Sequence, residues 1–436
     1  MNMQARIPHL PKVPMSVAGT GLNPVFARDI LIKTMFRKNV ETGRDVEKEL
    51  CCSTPVALEL IEMARSQGLI EVMGSTGEGN AKTMRYQMSE SGKSRALDAL
   101  AQSEYFGALP IPLEVYKKQV ALQSVADVGI TKAALENAMG HLIIPDGLLA
   151  QLGPAVNSGK SILMYGPPGN GKSSISNGIR DSLGDRIFVP KFLEYSSQVI
   201  SVYDPIVHGD AQESQADPNA LRRTGTQFDS RYVLCKRPSV ITGGELTLSM
   251  LELNYNENSK TYQAPLQLKA TGGVFIVDDL GRQAEPPQTL INRWIVPMEG
   301  GEDILSLQSG EKFLVPFDTL VIFSTNFHPA EIFDGAALRR IYYKVLVDRP
   351  SRDEMIQIYA LVAKAMKMPL DENVLIHLFS KLYPQTENTY AAYHAPFLIT
   401  QMKSICDYEG RPHHMAIDLL ERAWANLFVA EGEIAH

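Results

Sequence analysis

Hydrophobic and polar positions change period twice along the first hundred residues. In "PVFARDILIKTMFRKN" apolar side chains return at helical spacing, Phe26, Ile30 and Met35 among them, which predicts an amphipathic helix. "GRDVEKEL" predicts a short second helix. "CSTPVALELIEMARSQG" predicts a third, with Thr54 as N-cap, Pro55 at the first helical position and Gly68 as C-cap. The period then drops to two. "LIEVMG" and "MRYQMS" read as strands around the glycine-rich tip "STGEGNAKT", and "SGKSRALDALAQS" returns to a helix. These elements define a front domain over residues 23–103. The proline-rich residues 1–22 predict a flexible arm. Pro110 and Pro112 predict a stiff linker over 104–130.

Beyond residue 130 the texture changes. "TKAALENAMGHLIIPDGLLAQLGPAVNSG" predicts helices, and three short apolar runs follow at long intervals: "SILMY", "GGVFIV" and "DTLVIF". Each has the length and uniform hydrophobicity of a strand buried on both faces of a parallel sheet. The stretch Ser174 to Gly272 is far longer than a helix, a strand and short connections need, so it carries an insertion. Within it, "RIFVPKFLEYSSQVISVYDPIV" predicts a hairpin turning at "YSSQ", and "HGDAQESQADPNALRRTGTQFDSR" predicts a polar surface loop. From Pro350 on, apolar positions again recur at helical spacing. The expected fold is α/β, with a parallel-sheet core over 131–349 and a helical lid over 350–436.

The chemistry sits at the ends of the apolar runs. After "SILMY" come Gly166, Pro167, Pro168, Gly169, Asn170, Gly171, Lys172, Ser173 and Ser174. Gly166, four residues, then Gly171-Lys172-Ser173 is the phosphate-loop spacing. Its glycines let backbone N–H groups converge on an anion. Lys172 would reach the β- and γ-phosphates of a nucleotide, and Ser173 would hold Mg²⁺ through its hydroxyl. "SSISNGIRDSL" is the helix whose N-terminus faces the phosphates. "VFIVDD" ends in Asp278, placed to join the Mg²⁺ shell, and Asp279, placed to polarise the attacking water. "FSTN" ends in Asn326, placed to orient that water. "ALRR" supplies Arg339 and Arg340, either of which could reach a neighbouring subunit's γ-phosphate.

In this order the motifs "GPPGNGKS", "VFIVDD", "STN" and "ALRR" resemble an AAA+ ATPase over about Leu142 to His436, with similarity to the branches that include MoxR-type and enhancer-type ATPases. The resemblance implies Mg²⁺-dependent ATP hydrolysis, a helical lid, and self-assembly into a ring, as a hexamer. Two positions depart from the family pattern. The second strand acid is Asp279 rather than Glu, one methylene shorter. Phe397, in "HAPFLITQMKSI", stands where the lid's sensor arginine is expected. Arg282 and Arg293 are other cations expected near the subunit interface. Tyr255 and Tyr262 lie where such rings place pore-facing loops, and could grip a substrate or pack as half-buried aromatics.

The front domain resembles a winged helix–turn–helix by its element order. Such domains often bind DNA, so charge is the test. Residues 21–100 hold 11 Lys/Arg and 11 Asp/Glu, and the recognition-helix position carries Glu59, Glu62 and Arg65. Two carboxylates there repel phosphate, and the wing offers only Lys82 and Arg85. Docking of a protein client is therefore favoured over nucleic acid.

Bulk composition narrows the setting. The 436 residues are 44% hydrophobic with a net charge of −7, which gives no general pull toward nucleic acid. Four cysteines show neither metal spacing nor a disulfide framework, as expected in a reducing cytoplasm. No apolar run approaches a membrane span. The leading expectation is a cytoplasmic, ring-forming ATPase that remodels or assembles a protein client. A DNA-associated regulator or loader, and a nucleotide-gated scaffold with weak turnover, are the alternatives.

Overall fold

The computed structural model describes residues 9–75, 84–209 and 228–427. The chain divides into two compact units. One comprises Met1–Gly129, Leu183–Ile276 and Gln283–Val321; the other comprises Ile130–Ser182, Val277–Arg282 and Ile322–His436. Residues 131–349, read from sequence as one core, thus contribute to both.

The first unit opens with the expected helices, Pro24–Lys38, Gly43–Glu49 and Thr54–Ser66. Asn23 caps the first, its side chain accepting from the Val25 and Phe26 amides. Thr54 is not the cap of the third. Ser53 holds that position, while the Thr54 hydroxyl donates to Glu47 at 2.8 Å. Gly68, at φ 69°, ends the helix as expected. The Leu69 amide donates to the Ala64 carbonyl and the Gly68 amide to that of Arg65, both at 2.9 Å, which is how a left-handed glycine closes a helix. The strands Ile70–Ser75 and Met84–Met88 pair antiparallel, and the helix Glu90–Gln102 follows. The wing tip, with Lys82, and residues 210–227 of the expected polar surface loop 208–231 lie outside the described residues, while the loop's ends, His208, Asp229 and Arg231, are buried.

Two expectations for this unit are corrected. Residues 9–22 are not a free arm: Val17 is 1% exposed and Leu22 4%, and both belong to the helical core beside Ile30 and Leu60. Isolated apolar residues among prolines are enough to pin an irregular segment when a groove receives each one. Nor is 104–130 merely a linker. Ile111–Pro112 is an edge strand beside Phe192–Tyr195, and Leu113–Leu122 is a helix that buries Tyr116 and Val120. Proline is tolerated at an edge because no neighbour needs its missing N–H.

The insertion builds most of the remaining first unit. Phe192–Tyr195 and Gln198–Ser201 form the hairpin expected at "YSSQ", in a sheet that continues through Thr261–Gln263 to Asn254–Asn256. Tyr255 and Tyr262 face one another across the last pair, ring centroids 4.9 Å apart. Tyr262 is buried and its hydroxyl accepts from the Gln308 amide at 3.0 Å, so it packs rather than grips. Arg293 is likewise internal to this unit, paired with Asp303 at 2.6 Å and Glu252 at 3.0 Å.

In the second unit, Ile162–Tyr165 is flanked on both sides by parallel neighbours, residues 322–325 and Tyr343–Leu346. Ile162, Leu163, Met164, Ile322 and Phe323 are fully buried, as their unbroken hydrophobicity requires. The fold is α/β with a phosphate-loop core. The C-terminal helices Arg352–Ala365, Glu372–His377, His394–Glu409 and Ile417–Leu427 enclose their own core around Met355, Tyr359, Leu398, Met402 and Trp424. Ser351 and Glu354 form a reciprocal capping box at the start of the first. Among the described residues, no helix is long and apolar enough to cross a membrane.

Candidate functional site

The site lies wholly within the second unit, in a cavity of about 630 Å³. Its floor is the turn between the strand Ile162–Tyr165 and the helix Lys172–Ser182. Glycine is obligatory at two positions of that turn. Gly166 has φ 134°, and a Cβ there would stand 2.3 Å from the Val347 carbonyl oxygen. Gly169 has φ 76°, and a Cβ would stand 2.2 Å from the Tyr393 ring. The loop can therefore keep its tight path only without side chains at these points. Of the sequence-derived loop residues, Pro168, Gly169, Asn170, Gly171, Lys172, Ser173 and Ser174 line the cavity. Gly166 and Pro167 instead turn their carbonyls to Lys172.

Lys172 is buried, its Nζ donating to the Gly166 and Pro167 carbonyls at 2.9 Å each. Burial pulls its pKa down, opposed by the nearby negative charges of Asp279 and Asp278. The ammonium is thus held by neutral oxygens, with carboxylates at longer range. Such a charge can be transferred to an anionic ligand without breaking an ion pair.

The two acids arrive from Val277–Arg282, a six-residue segment of the second unit. Ser173 Oγ donates to Asp278 Oδ2 at 2.7 Å, although the residues are 105 positions apart. Asp279 has φ 49°, a left-handed conformation that Asp tolerates better than most side chains. Asn326 Nδ2 donates to Asp279 Oδ1 at 3.2 Å. The ends of the two segments are stitched together, the Leu280 amide donating to the Ser324 carbonyl and Thr325 Oγ1 to the Leu280 carbonyl, both at 2.7 Å. These bonds fix the spacing between Asp279 and Asn326.

The structure therefore brings Lys172, Ser173, Asp278, Asp279 and Asn326 to one cavity. It does not bring Arg339 or Arg340 there. Both end the short helix Gly335–Arg340, are exposed, and are absent from the cavity wall. Phe397 is half-buried against the lid core and also absent from the wall. Arg282 does line the cavity, placed by the turn in which its amide donates to the Asp279 carbonyl at 3.0 Å. Ile143, Ile144, Ile358 and Val362 also line the cavity, an apolar lining suited to the faces of a planar base.

One part of the site was invisible in the sequence. The lid's Tyr393 amide donates to the Gly169 carbonyl at 2.9 Å, and the Ala392 amide to Asn170 Oδ1 at 3.2 Å. Nothing in "AAYHAPF" marks these residues as phosphate-loop partners. The only available signal was the absence of an arginine at the head of that helix.

A Mg²⁺ ion fits the donor set: one hydroxyl and one carboxylate already in contact, with a second carboxylate beside them, are the hard oxygen ligands this ion takes.

Residues 351–426 match a family model described as a domain of unknown function, DUF8689. No curated protein matches the chain. Among solved structures, NtrX from Brucella abortus in complex with ADP aligns at 13% identity and a TM-score of 0.39, over 76% of this chain and 65% of its own. The alignment thus spans somewhat less than two thirds of NtrX. A RuvB variant from Thermotoga maritima aligns at 11% identity and 0.36, over 70% of this chain and 72% of its own. A magnesium chelatase BchI–BchD complex aligns at 15% identity and 0.33, over 64% and 89%.

Proposed function

We propose that the chain is a Mg²⁺-dependent ATPase of the AAA+ type. The observation that carries this reading is the 2.7 Å bond between Ser173 and Asp278. It joins a phosphate-loop hydroxyl to a strand-end carboxylate beside a lysine that donates to two carbonyls, an arrangement suited to a metal–triphosphate. When bound, Mg²⁺ neutralises charge building between the β- and γ-phosphates. The chain's residues do the rest. Lys172 leaves the Gly166 and Pro167 carbonyls for phosphate oxygens. Ser173 and Asp278 hold the metal. Asn326 keeps Asp279 beside the γ-phosphate, where the carboxylate accepts a proton from the attacking water. Arg282 adds a second cation to the cavity wall.

Arg339 and Arg340, exposed and outside the cavity, suit action on a neighbouring subunit, so the working form is a ring, a hexamer by family resemblance. The front domain is a winged helix that docks a protein client for remodelling. Its third helix supports a protein over a duplex. Glu62 engages Arg65 through both oxygens, at 2.7 and 2.8 Å. Glu59 accepts the Val17 amide at 2.7 Å.

The test is ATP turnover by the purified chain and by Lys172→Ala. Removing the ammonium is expected to lower turnover by about 10²-fold or more. Equal rates in the two proteins would sink the assignment. Arg340→Ala should bind ATP normally yet turn it over slowly, and a full rate would remove that residue from the mechanism.

A further inference from the structure

The lid side of the nucleotide cavity is formed by Ile358, Leu361, Val362, Ala392, Tyr393 and Pro396. None of these six carries a charge, so none of them offers a cation to a phosphate. The lid touches the phosphate loop instead. The Tyr393 amide donates to the Gly169 carbonyl, the Ala392 amide donates to Asn170 Oδ1, and the Tyr393 ring covers the Cα of Gly169. Asn170 is 8% exposed, and its Nδ2 reaches the Pro167 carbonyl at 3.5 Å.

The first of these bonds has a directional consequence. A trans peptide is planar, and its C=O and N–H point to opposite sides. The Gly169 carbonyl belongs to the same peptide as the Asn170 amide. With that carbonyl held by the lid, the Asn170 N–H is turned away from Tyr393. A carbonyl that accepts a bond also makes the N–H of its own peptide a stronger donor.

Resting on the nucleotide reading above, we infer that Tyr393 is a positioning residue: its backbone N–H docks the lid on Gly169 and thereby aims the Asn170 amide at the bound phosphates. The lid senses occupancy through the far side of a loop peptide rather than through a charged side chain. Coupling of this kind is reciprocal. Bound phosphate steadies the peptide, and the steadied carbonyl holds the lid.

The design separates the amide from the ring. Tyr393→Ala removes the ring and keeps the N–H. Tyr393→Pro removes both, and the native φ of −67° is one proline adopts. Binding of Mg²⁺–ADP is measured by calorimetry on the full chain, with helical content checked by circular dichroism. Tyr393→Ala is expected to weaken ADP binding less than threefold, and Tyr393→Pro about tenfold. A second measurement needs no variant. Hydrogen exchange on the native chain should show the Tyr393 amide slowed at least tenfold by Mg²⁺–ADP. Native-like affinity in a folded Tyr393→Pro, or an exchange rate indifferent to ADP, would overturn the docking role. Equal losses in both variants would also overturn it, making the ring a wall of the cavity. A native chain that binds no ADP would instead remove the nucleotide reading itself, and the docking role with it.

Discussion

Lys172 and Arg65 carry the same charge in different company. Lys172 is buried, and its direct partners are two carbonyl oxygens. Arg65 is exposed and chelated by Glu62, one turn away on the same helix. Three other cations of the front domain follow Arg65, whereas buried Lys33 donates to the Ser103 carbonyl at 3.0 Å. Arg85 is bonded to Glu41, Arg95 to Asp29 and Lys93 to Glu90. A cation already committed to a carboxylate has little left for a phosphate, whereas one resting on neutral oxygens is ready to exchange them. Partners therefore separate a binding charge from a surface charge better than a count of lysines and arginines does. The front domain's balanced composition did not reveal which of its cations were paired.

The strongest way to break this comparison is at the acid end of the cavity. Asp279→Asn keeps the shape and the bond to Asn326 within reach but removes the proton acceptor. ATP turnover should fall by roughly 10²-fold, as removal of a general base does, while ATP affinity stays within a few-fold. A turnover close to native would mean that another group accepts the proton.

A smaller effect concerns the lid. His394 is buried, bonded to the Tyr383 hydroxyl at 3.2 Å, and its ring stacks on Tyr383. Burial, with Arg349 nearby, lowers its pKa from 6.5 to about 4. The folded state then binds fewer protons than the unfolded one. Stability is complete above about pH 6.5 and declines as pH falls toward 4. Thermal unfolding followed through Trp424, which packs on Tyr383, should show a falling midpoint over that window. His394→Gln should flatten the trend, and an unchanged slope would assign the acid sensitivity elsewhere.

The smallest effect is expected on the front domain. The full chain should bind duplex DNA no more tightly than the general non-specific range, roughly 10⁻⁴ to 10⁻⁶ M at physiological salt. Glu62→Gln loosens Arg65 and should tighten binding less than about threefold, read by titration at two salt concentrations. Nanomolar binding with a steep salt dependence would reverse the comparison and make the domain a reader of nucleic acid.

What the sequence disclosed follows from how local each requirement is. The phosphate loop is legible because its glycines, lysine and serine answer to one turn. Asp278, Asp279 and Asn326 are legible because each ends an apolar run. The front helices were visible by period, down to Gly68 as a C-terminal stop, though Ser53 rather than Thr54 holds the cap. Contacts made by single residues were not visible. Val17 and Leu22 sit in a stretch without periodicity, and only the grooves that receive them make that stretch part of the core. Leu113–Leu122 was hidden because two prolines just before it read as a linker. The Tyr393–Gly169 bond uses backbone atoms, which every residue has.

The six-residue visit of Val277–Arg282 to the second unit has a consequence for biosynthesis. Ser173 leaves the ribosome 105 residues ahead of Asp278, an interval of roughly 5 to 20 seconds at ordinary elongation rates. Asn326 emerges later, and Tyr393 later still. A nascent chain therefore carries a finished phosphate loop long before it has the acid that completes it. The cavity wall is complete only after Tyr393 and Pro396 have emerged, so a ligand that needs the whole wall can act only on folding steps after that point.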